Sequence, residues 1–479
     1  MALKMSSQPK NALPQAFLEA LRSQFHERFS SQDPSDRETY GRDWTKVFAP
    51  APSLVCFPQS TEEVARLLKL CWEHGVAVVP SGGRTGLSGG AVAAQGEVVL
   101  TLERMRSMGA VDAASRTVRV EAGSVTQAVH EHCAPDGLTW PVDFASKGSS
   151  TVGGNIATNA GGVRVIRYGL TRNWVLGLEV VLADGRVMHL NGALEKNQTG
   201  LDLRQLFIGS EGTLGVVTAA TLKLAPLPRE PQVFFFALPD LPSVLKLFRH
   251  VRRSPWMVNA FEFLGRNCLE AVRAHRGLTP PYATESAYSV LLEIESPEGE
   301  TAGEKLQAWL EELFEKELVQ DGTWAQSRTE AENLWALREG ISESLAAKTL
   351  LHKHDISVPV AQLEPFIDSL LSDFSATYQG FEVFLFGHIG DGNLHLNIGK
   401  PPAMEKADFL GQTRAIDARV FERVAQHQGS VSAEHGIGLL KKHGLKFSRS
   451  EEEIALMRSI KTALDPKGIL NPGKILDPQ

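Results

Sequence analysis

Apolar residues recur along this chain with two spacings, one close to the turn of a helix and one of two residues, and these predict its elements. Residues 14–29 carry a helical spacing and 30–39 are a polar linker. Thr61–Trp72 predicts a helix capped by Ser60 or Thr61, with acids in its first turn and Gly75 at its end. Val76–Val79 predicts a short buried strand directly after it. Past Pro226-Leu-Pro228, strand-like runs (Val233–Ala237, Tyr288–Glu293, Glu382–Phe386) alternate with helical ones (Leu241–Arg252, Ala302–Leu318). That alternation predicts an antiparallel sheet with helices on one face. Glu451–Lys461, capped by Ser450, predicts a closing amphipathic helix. The expected class is α+β in three stretches, 1–227, 228–425 and 426–479.

Three glycine-rich loops interrupt the first stretch: Pro80–Gly90, Lys147–Gly162 and Phe207–Val217. The first follows a predicted strand, and strands are expected on both sides of the second and after the third. Backbone stripped of side chains presents bare N–H groups that bind phosphate without needing a cation. The spacing is not that of a Rossmann fingerprint, and no periodic helix opens from the first loop. Three such loops predict a dinucleotide lying along a groove.

A different chemistry is written in Phe386-Gly-His-Ile-Gly-Asp-Gly-Asn-Leu-His-Leu-Asn397. Alternating β-formers flank Asp391-Gly392, a dipeptide suited to a two-residue hairpin turn. That turn would set His388 directly opposite His395, with Cβ atoms about 4.5–5.5 Å apart, close enough to share a metal ion. Asn397, two residues on, projects to the same side. In Ser430-Val-Ser-Ala-Glu-His-Gly-Ile-Gly438, Glu434 offers a carboxylate beside His435. Two histidines and a carboxylate with a position left open are a common catalytic zinc set. His435, next to a ligand, is then the expected general base.

From Pro58 to Lys223 the chain resembles the FAD-binding domain of the vanillyl-alcohol oxidase and p-cresol methylhydroxylase superfamily. The resemblance implies a two-subdomain FAD-binding domain, a helix-covered antiparallel substrate domain, and a C-terminal segment packing back on the first. It implies FAD contacts from Pro80, Ser81, Gly82, Gly83, Arg84, Thr85, Gly86, Leu87 and Ser88 in the first loop. The second loop would add Ser149, Ser150, Gly153, Gly154, Asn155, Asn159, Gly161 and Gly162, and the third Glu211, Gly212, Gly215 and Val216, with Asn471 from the tail. Some relatives bind FAD through a histidine of the first loop; none stands between Pro80 and Gly90, so non-covalent FAD is expected.

The Gly-His-Ile-Gly-Asp-Gly-Asn-Leu-His and Ser-Ala-Glu-His-Gly signatures resemble the flavin-dependent D-2-hydroxyacid dehydrogenases, with those acting on D-2-hydroxyglutarate nearest. Carried over, Arg338 and Lys353 hold carboxylate, Ser342 adds a hydrogen bond where that group often has threonine, and Asn397 orients substrate. Arg338 and Ser342, four residues apart on a predicted helix, would share a face. The implied reaction is FAD- and metal-dependent oxidation of D-2-hydroxyglutarate to 2-oxoglutarate, with D-malate a further candidate. His388, His395 and Glu434 would hold Zn2+ or another divalent ion, and hydride would pass to the flavin N5. Electron-transfer flavoprotein is the implied acceptor and a homodimer the implied assembly. A D-lactate or glycolate dehydrogenase stands as the alternative, and a non-catalytic flavin- or zinc-binding protein as a second.

Composition narrows the partners. The 479 residues carry a net charge of −7 and no basic tract, which argues against nucleic acid. Cys56, Cys71, Cys133 and Cys268 show no C-x-x-C spacing and predict buried thiols of a reducing compartment. No apolar run approaches the ~18 residues of a membrane span, and the start resembles neither a signal nor a transit peptide. A cytoplasmic protein is expected.

Overall fold

The computed structural model describes residues 13–279, 281–296 and 301–478. Contacts divide the chain into two compact units. The first gathers the chain to Gly162, Leu170–Leu227 and Glu434 onward, and the second Val163–Gly169 and Pro228–Ala433.

In the first unit, Leu54–Cys56, Val98–Thr101 and Val78–Ser81 form a parallel trio, with Ser30–Ser31 at its edge. All but one of the residues of the trio are buried, as expected of parallel strands covered on both faces. The helix before it runs Thr61–His74, with the Ser60 hydroxyl accepting from the Glu63 N–H, and ends at Gly75 as expected. The strand after it begins at Val78, two residues later than its apolar run. A separate antiparallel sheet orders Thr117–Glu121, Val216–Lys223, Val175–Val181 and Val187–Leu190. The helical spacing of 14–29 yields a helix only over Gln15–Gln24, and Phe29 closes a short 3-10 turn. The second glycine-rich stretch contains a helix, Val152–Thr158, where only loop was expected. The C-terminal helix, Glu451–Leu464, opens on a full capping box between Ser450 and Glu453. The tail then returns to the trio: Val78 N–H donates to Ile469 O (2.8 Å) and Asn471 N–H to Val78 O (2.7 Å).

The second unit is built on one seven-stranded antiparallel sheet. Its strands are β1 (Pro231–Leu238), β2 (Val258–Gly265), β3 (Tyr288–Glu295), β4 (Asp321–Trp324), β5 (Leu351–Ser357), β6 (Glu382–His388) and β7 (Asn393–Gly399). They lie in the order β4-β1-β3-β2-β6-β7-β5. Its helices are α1 (Leu241–Val251), α2 (Arg266–Arg276), α3 (Ala302–Glu315), α4 (Arg328–Glu339), α5 (Ile341–Lys348), α6 (Leu363–Thr377) and α7 (Lys406–Gln426).

Helices cover both faces of this sheet, not one. Phe235, Leu264, Leu291, Phe384 and Phe386 share a core with Cys268 of α2, Leu334 and Leu337 of α4, and Ile341 and Leu345 of α5. The alternate residues face the other way. Phe261 meets Phe248 of α1 at 5.1 Å, Phe234 meets Trp309 of α3 at 6.4 Å, and His354 meets Phe421 of α7 at 5.8 Å. The strands announce this, since β1 and β3 are buried almost end to end and leave neither face for water.

Candidate active site

The hairpin β6–β7 is closed by a four-residue loop, Ile389–Gly392, and not by the expected two-residue turn. His388 pairs with Asn393, and His395 pairs with Phe386. The register is therefore displaced by two residues from the expected one. A displacement by an even number leaves every side chain on its original face. His388 and His395 still meet, as diagonal neighbours with ring centroids 5.4 Å apart. Gly392 holds the loop at φ +76°, and a Cβ there would lie 2.0 Å from Val358 O, so only glycine fits. Asp391 accepts from the Asn393 N–H (3.1 Å), and burial pushes its carboxyl up to about 6 against the pull of His388.

The same face carries further polar groups. Lys353 of β5 pairs with Asn397 of β7, and Asp355 with His395, so all four point to one side. Asp355 Oδ1 lies 3.9 Å from His395 Nδ1 and accepts from Asn393 Nδ2 at 2.9 Å. Asn397 is buried. The Lys353 side chain reaches solvent, yet its surroundings desolvate the ammonium enough to lower its pKa.

One carboxylate organises this face, and sequence reasoning missed it. Glu262 of β2 is fully buried. Its Oε1 lies 2.6 Å from His388 Nδ1, and its Oε2 accepts from Arg338 Nε at 2.8 Å and lies 2.8 Å from Nη2. Burial alone would raise its pKa, but the His388 and Arg338 charges hold it below the usual carboxylate range. The bond to Nδ1 directs any metal to Nε2 of His388, the arrangement in which an outer carboxylate orients a metal-binding histidine. A lone acid between phenylalanines in Ala260-Phe-Glu-Phe-Leu264 was the available signal, since such a charge is seldom buried unless paired.

Arg338 thus grips a protein carboxylate with Nε and Nη2, and its guanidinium lies 4.9 Å from the Phe386 ring centroid. It does not share a helix face with Ser342. Helix α4 ends at Glu339 and α5 starts at Ile341, so Gly340 separates the two. Arg338 is buried by its ion pair, whereas Ser342 is exposed.

Within the first unit the three glycine-rich loops and the tail come together. Glu211 N–H donates to Ala157 O (2.7 Å), joining the third loop to the second. Asn471 Nδ2 donates to Gly90 O (2.9 Å) and Glu211 O (2.7 Å). The carboxylate of Glu211, a residue expected to contact FAD, accepts from Ile437 N–H (2.7 Å) and Gly438 N–H (2.8 Å). It clamps the turn that follows Glu434 and His435. Gly438, at φ +49°, would place a Cβ 2.1 Å from Ser88 O, so this turn packs on the first loop through bare backbone. Ser81 Oγ, Thr151 Oγ1 and Asn471 Oδ1 are buried without a hydrogen-bond partner. Buried polar atoms are seldom left so, and these are available to a polar cofactor. The loops therefore fit FAD.

Glu434 and His435 follow Ala433, the last residue of the second unit. The Ala433 N–H donates to Asp355 O at 3.3 Å. Two histidines and a carboxylate are by residue type a set that suits zinc, and within the second unit Glu262 gives His388 the outer partner that a metal-binding histidine takes.

Comparison with known proteins agrees. Residues 227–475 match the family described as FAD linked oxidases, C-terminal domain, and residues 52–191 match the FAD binding domain. The chain is 45% identical over 443 residues to a D-2-hydroxyglutarate dehydrogenase of Stutzerimonas stutzeri, covering 92% of this chain and 95% of that protein. It is 47% identical over 446 residues to the enzyme of the same name from Xanthomonas citri, covering 93% of each. Among solved structures, p-cresol methylhydroxylase with substrate bound superposes with a TM-score of 0.74 over 98% of this chain and 99% of that one, at 16% identity. That likeness shows the vanillyl-alcohol oxidase type of fold. The chain belongs to the FAD-linked oxidases and is a flavin-dependent oxidoreductase.

Proposed function

We propose that the protein oxidises D-2-hydroxyglutarate to 2-oxoglutarate, with FAD held by the first unit and the acid by the second. The observation that carries this reading is the polar face of the second unit's sheet. There, two histidines stand with Lys353 and Asn397, and Arg338 is joined to His388 through Glu262. The names of the relatives at 45% and 47% identity support the substrate.

Bound FAD supplies the sink for the α-hydrogen and its electron pair. A divalent ion held by His388, His395 and Glu434 would lower the pKa of the substrate hydroxyl. The remaining work belongs to the chain. Arg338 and Lys353 bind the carboxylates; the Nη1 edge of Arg338, not used by Glu262, is the one that reaches substrate. Asn397 orients the acid and Ser342 adds a hydroxyl. His435 takes the hydroxyl proton. Lys353, already partly desolvated, loses less hydration on meeting a second, distal carboxylate, which favours a dicarboxylate over lactate or glycolate.

We further propose electron-transfer flavoprotein as acceptor, a homodimer as assembly and the cytoplasm as location. The four buried free cysteines suit that compartment. Among the described residues no helix is long and apolar enough to cross a membrane.

Anaerobic mixing with a panel of 2-hydroxyacids tests the substrate. D-2-hydroxyglutarate should bleach the flavin absorbance, its L-enantiomer should not, and D-malate should be slower. Lys353→Ala should raise KM for the dicarboxylate more than it lowers kcat. Rapid bleaching by D-lactate or glycolate, with D-2-hydroxyglutarate inert, would overturn the assignment.

A further inference from the structure

The second face of β5 carries a cluster that the reaction does not use. His352 and His354, two residues apart, project together away from Lys353 and Asp355. Asp417 of α7 lies beneath them. Its Oδ1 is 2.6 Å from His352 Nε2 and 3.0 Å from His354 Nε2. The two rings stand edge to face, with centroids 4.6 Å apart at 83°. One donor atom from each of the three residues lies within 4.8 Å of the others. His354 and Asp417 are buried and His352 is half-buried, so an ion has a path from solvent through His352.

We propose that His352, His354 and Asp417 form a second divalent-cation site of the zinc or cobalt class, separate from the catalytic residues. Two imidazoles and one carboxylate are a set that zinc, cobalt and manganese accept. Metal–ligand bonds near 2.0–2.2 Å put neighbouring donors of a tetrahedral site roughly 3.3–3.5 Å apart. The observed 2.6 and 3.0 Å are N–H···O contacts, so binding needs the His352 pair to open by about 0.8 Å and the His354 pair by about 0.4 Å. Both rings then carry their proton on Nδ1 and turn a bare Nε2 to the ion. Water fills the fourth position, on the His352 side. Arg414 pairs with the other oxygen, with Nη1 3.7 Å from Oδ2, and is largely exposed, so it opposes the ion only weakly.

The role of this ion is mechanical. Strand β5 is the last of the seven strands, paired along its length with β7 and bonded on its other side through Ser357 to Ser430 and through Asp355 to Ala433. An ion fastening His352 and His354 to α7 fixes the strand whose opposite face presents Lys353 and Asp355. This inference does not rest on the catalytic metal, and the test keeps the two apart.

Chelator-treated, flavin-loaded protein would be titrated with Zn2+ against a chromophoric chelator, and separately with Co2+ by visible absorption. Flavin content and circular dichroism confirm the fold of each variant. The double variant His388→Ala/His395→Ala should still bind one equivalent, and adding Asp417→Asn should abolish it. Where the double variant folds poorly, His352→Gln in the otherwise natural chain should bind one equivalent fewer than the parent. A parent whose only metal survives Asp417→Asn, and a double variant that binds none, would each overturn the proposal. A single equivalent that survives loss of His388 and His395 but not of Asp417 would support it while removing the catalytic site.

Discussion

Glu262 shows how a single residue can serve two others. Its two oxygens hold a histidine and an arginine of different elements, so losing its charge leaves the Arg338 guanidinium buried with less compensation and weakens the bond that orients His388. Glu262→Gln should destabilise the protein by about 3–5 kcal/mol, the usual cost of breaking one partner from a buried ion pair. It should also weaken metal binding by roughly 10–100-fold. Denaturant midpoints and metal titration measure the two effects. The pH dependence has a definite sign, because the folded-state pKa lies below the ordinary value. The stabilisation is fully present above about pH 4.3 and is lost as pH falls below it, so the parent and the variant should converge in acid. His435 belongs to the same scale. His435→Asn should keep metal and flavin while flavin reduction falls by about 10²–10⁴-fold, the share usual for a general base. Stopped-flow reduction with metal analysis reads both, and loss of metal with activity would make His435 a ligand.

Elements decide where these residues point. The β6–β7 hairpin keeps both histidines on one face although its turn is longer than Asp391-Gly392 alone. Its geometry depends on Gly392, whose φ of +76° and contact with Val358 O exclude a side chain. Gly392→Ala should lower stability by about 1–3 kcal/mol, and should weaken metal binding because His388 and His395 flank the loop. A thermal melt and a zinc titration check this together. Normal metal affinity in a destabilised variant would show that the strands, not the loop, set the histidines. The break at Gly340 acts similarly: with Arg338 at the end of one helix and Ser342 at the start of the next, the guanidinium sinks onto Glu262 while the hydroxyl stays at the surface.

At the scale of the whole molecule, the chain leaves its first unit and returns to it at Glu434. FAD loops and histidine hairpin thus belong to separately packed cores. His388→Ala, His395→Ala and Glu434→Ala should each strip the catalytic metal yet leave FAD near one equivalent, measured by metal analysis and flavin absorbance. With no histidine in the first loop, acid precipitation should release the flavin into the supernatant. Colour retained in the pellet would mean a covalent bond.

Sequence alone determined what is local or periodic. The capped helices at Ser60 and Ser450 and the strands around Phe235, Leu291 and Leu385 follow from spacing and cap chemistry, and the face shared by His388 and His395 follows from strand alternation, although the turn was misplaced. Residue chemistry and motif resemblance likewise pointed to FAD before any contact was known. Tertiary structure alone decided the long-range partners. Glu262 and His388 are 126 positions apart, and Glu211 and Ile437 are 226 apart. Nothing in either local pattern says which of many carboxylates will be buried against which donor. The same holds for His352 and His354. Their alternation put them on one face, but only the packing of α7 against β5 brought Asp417 beneath them. A buried charge must find its counter-charge wherever the fold places one, and that choice is made by packing.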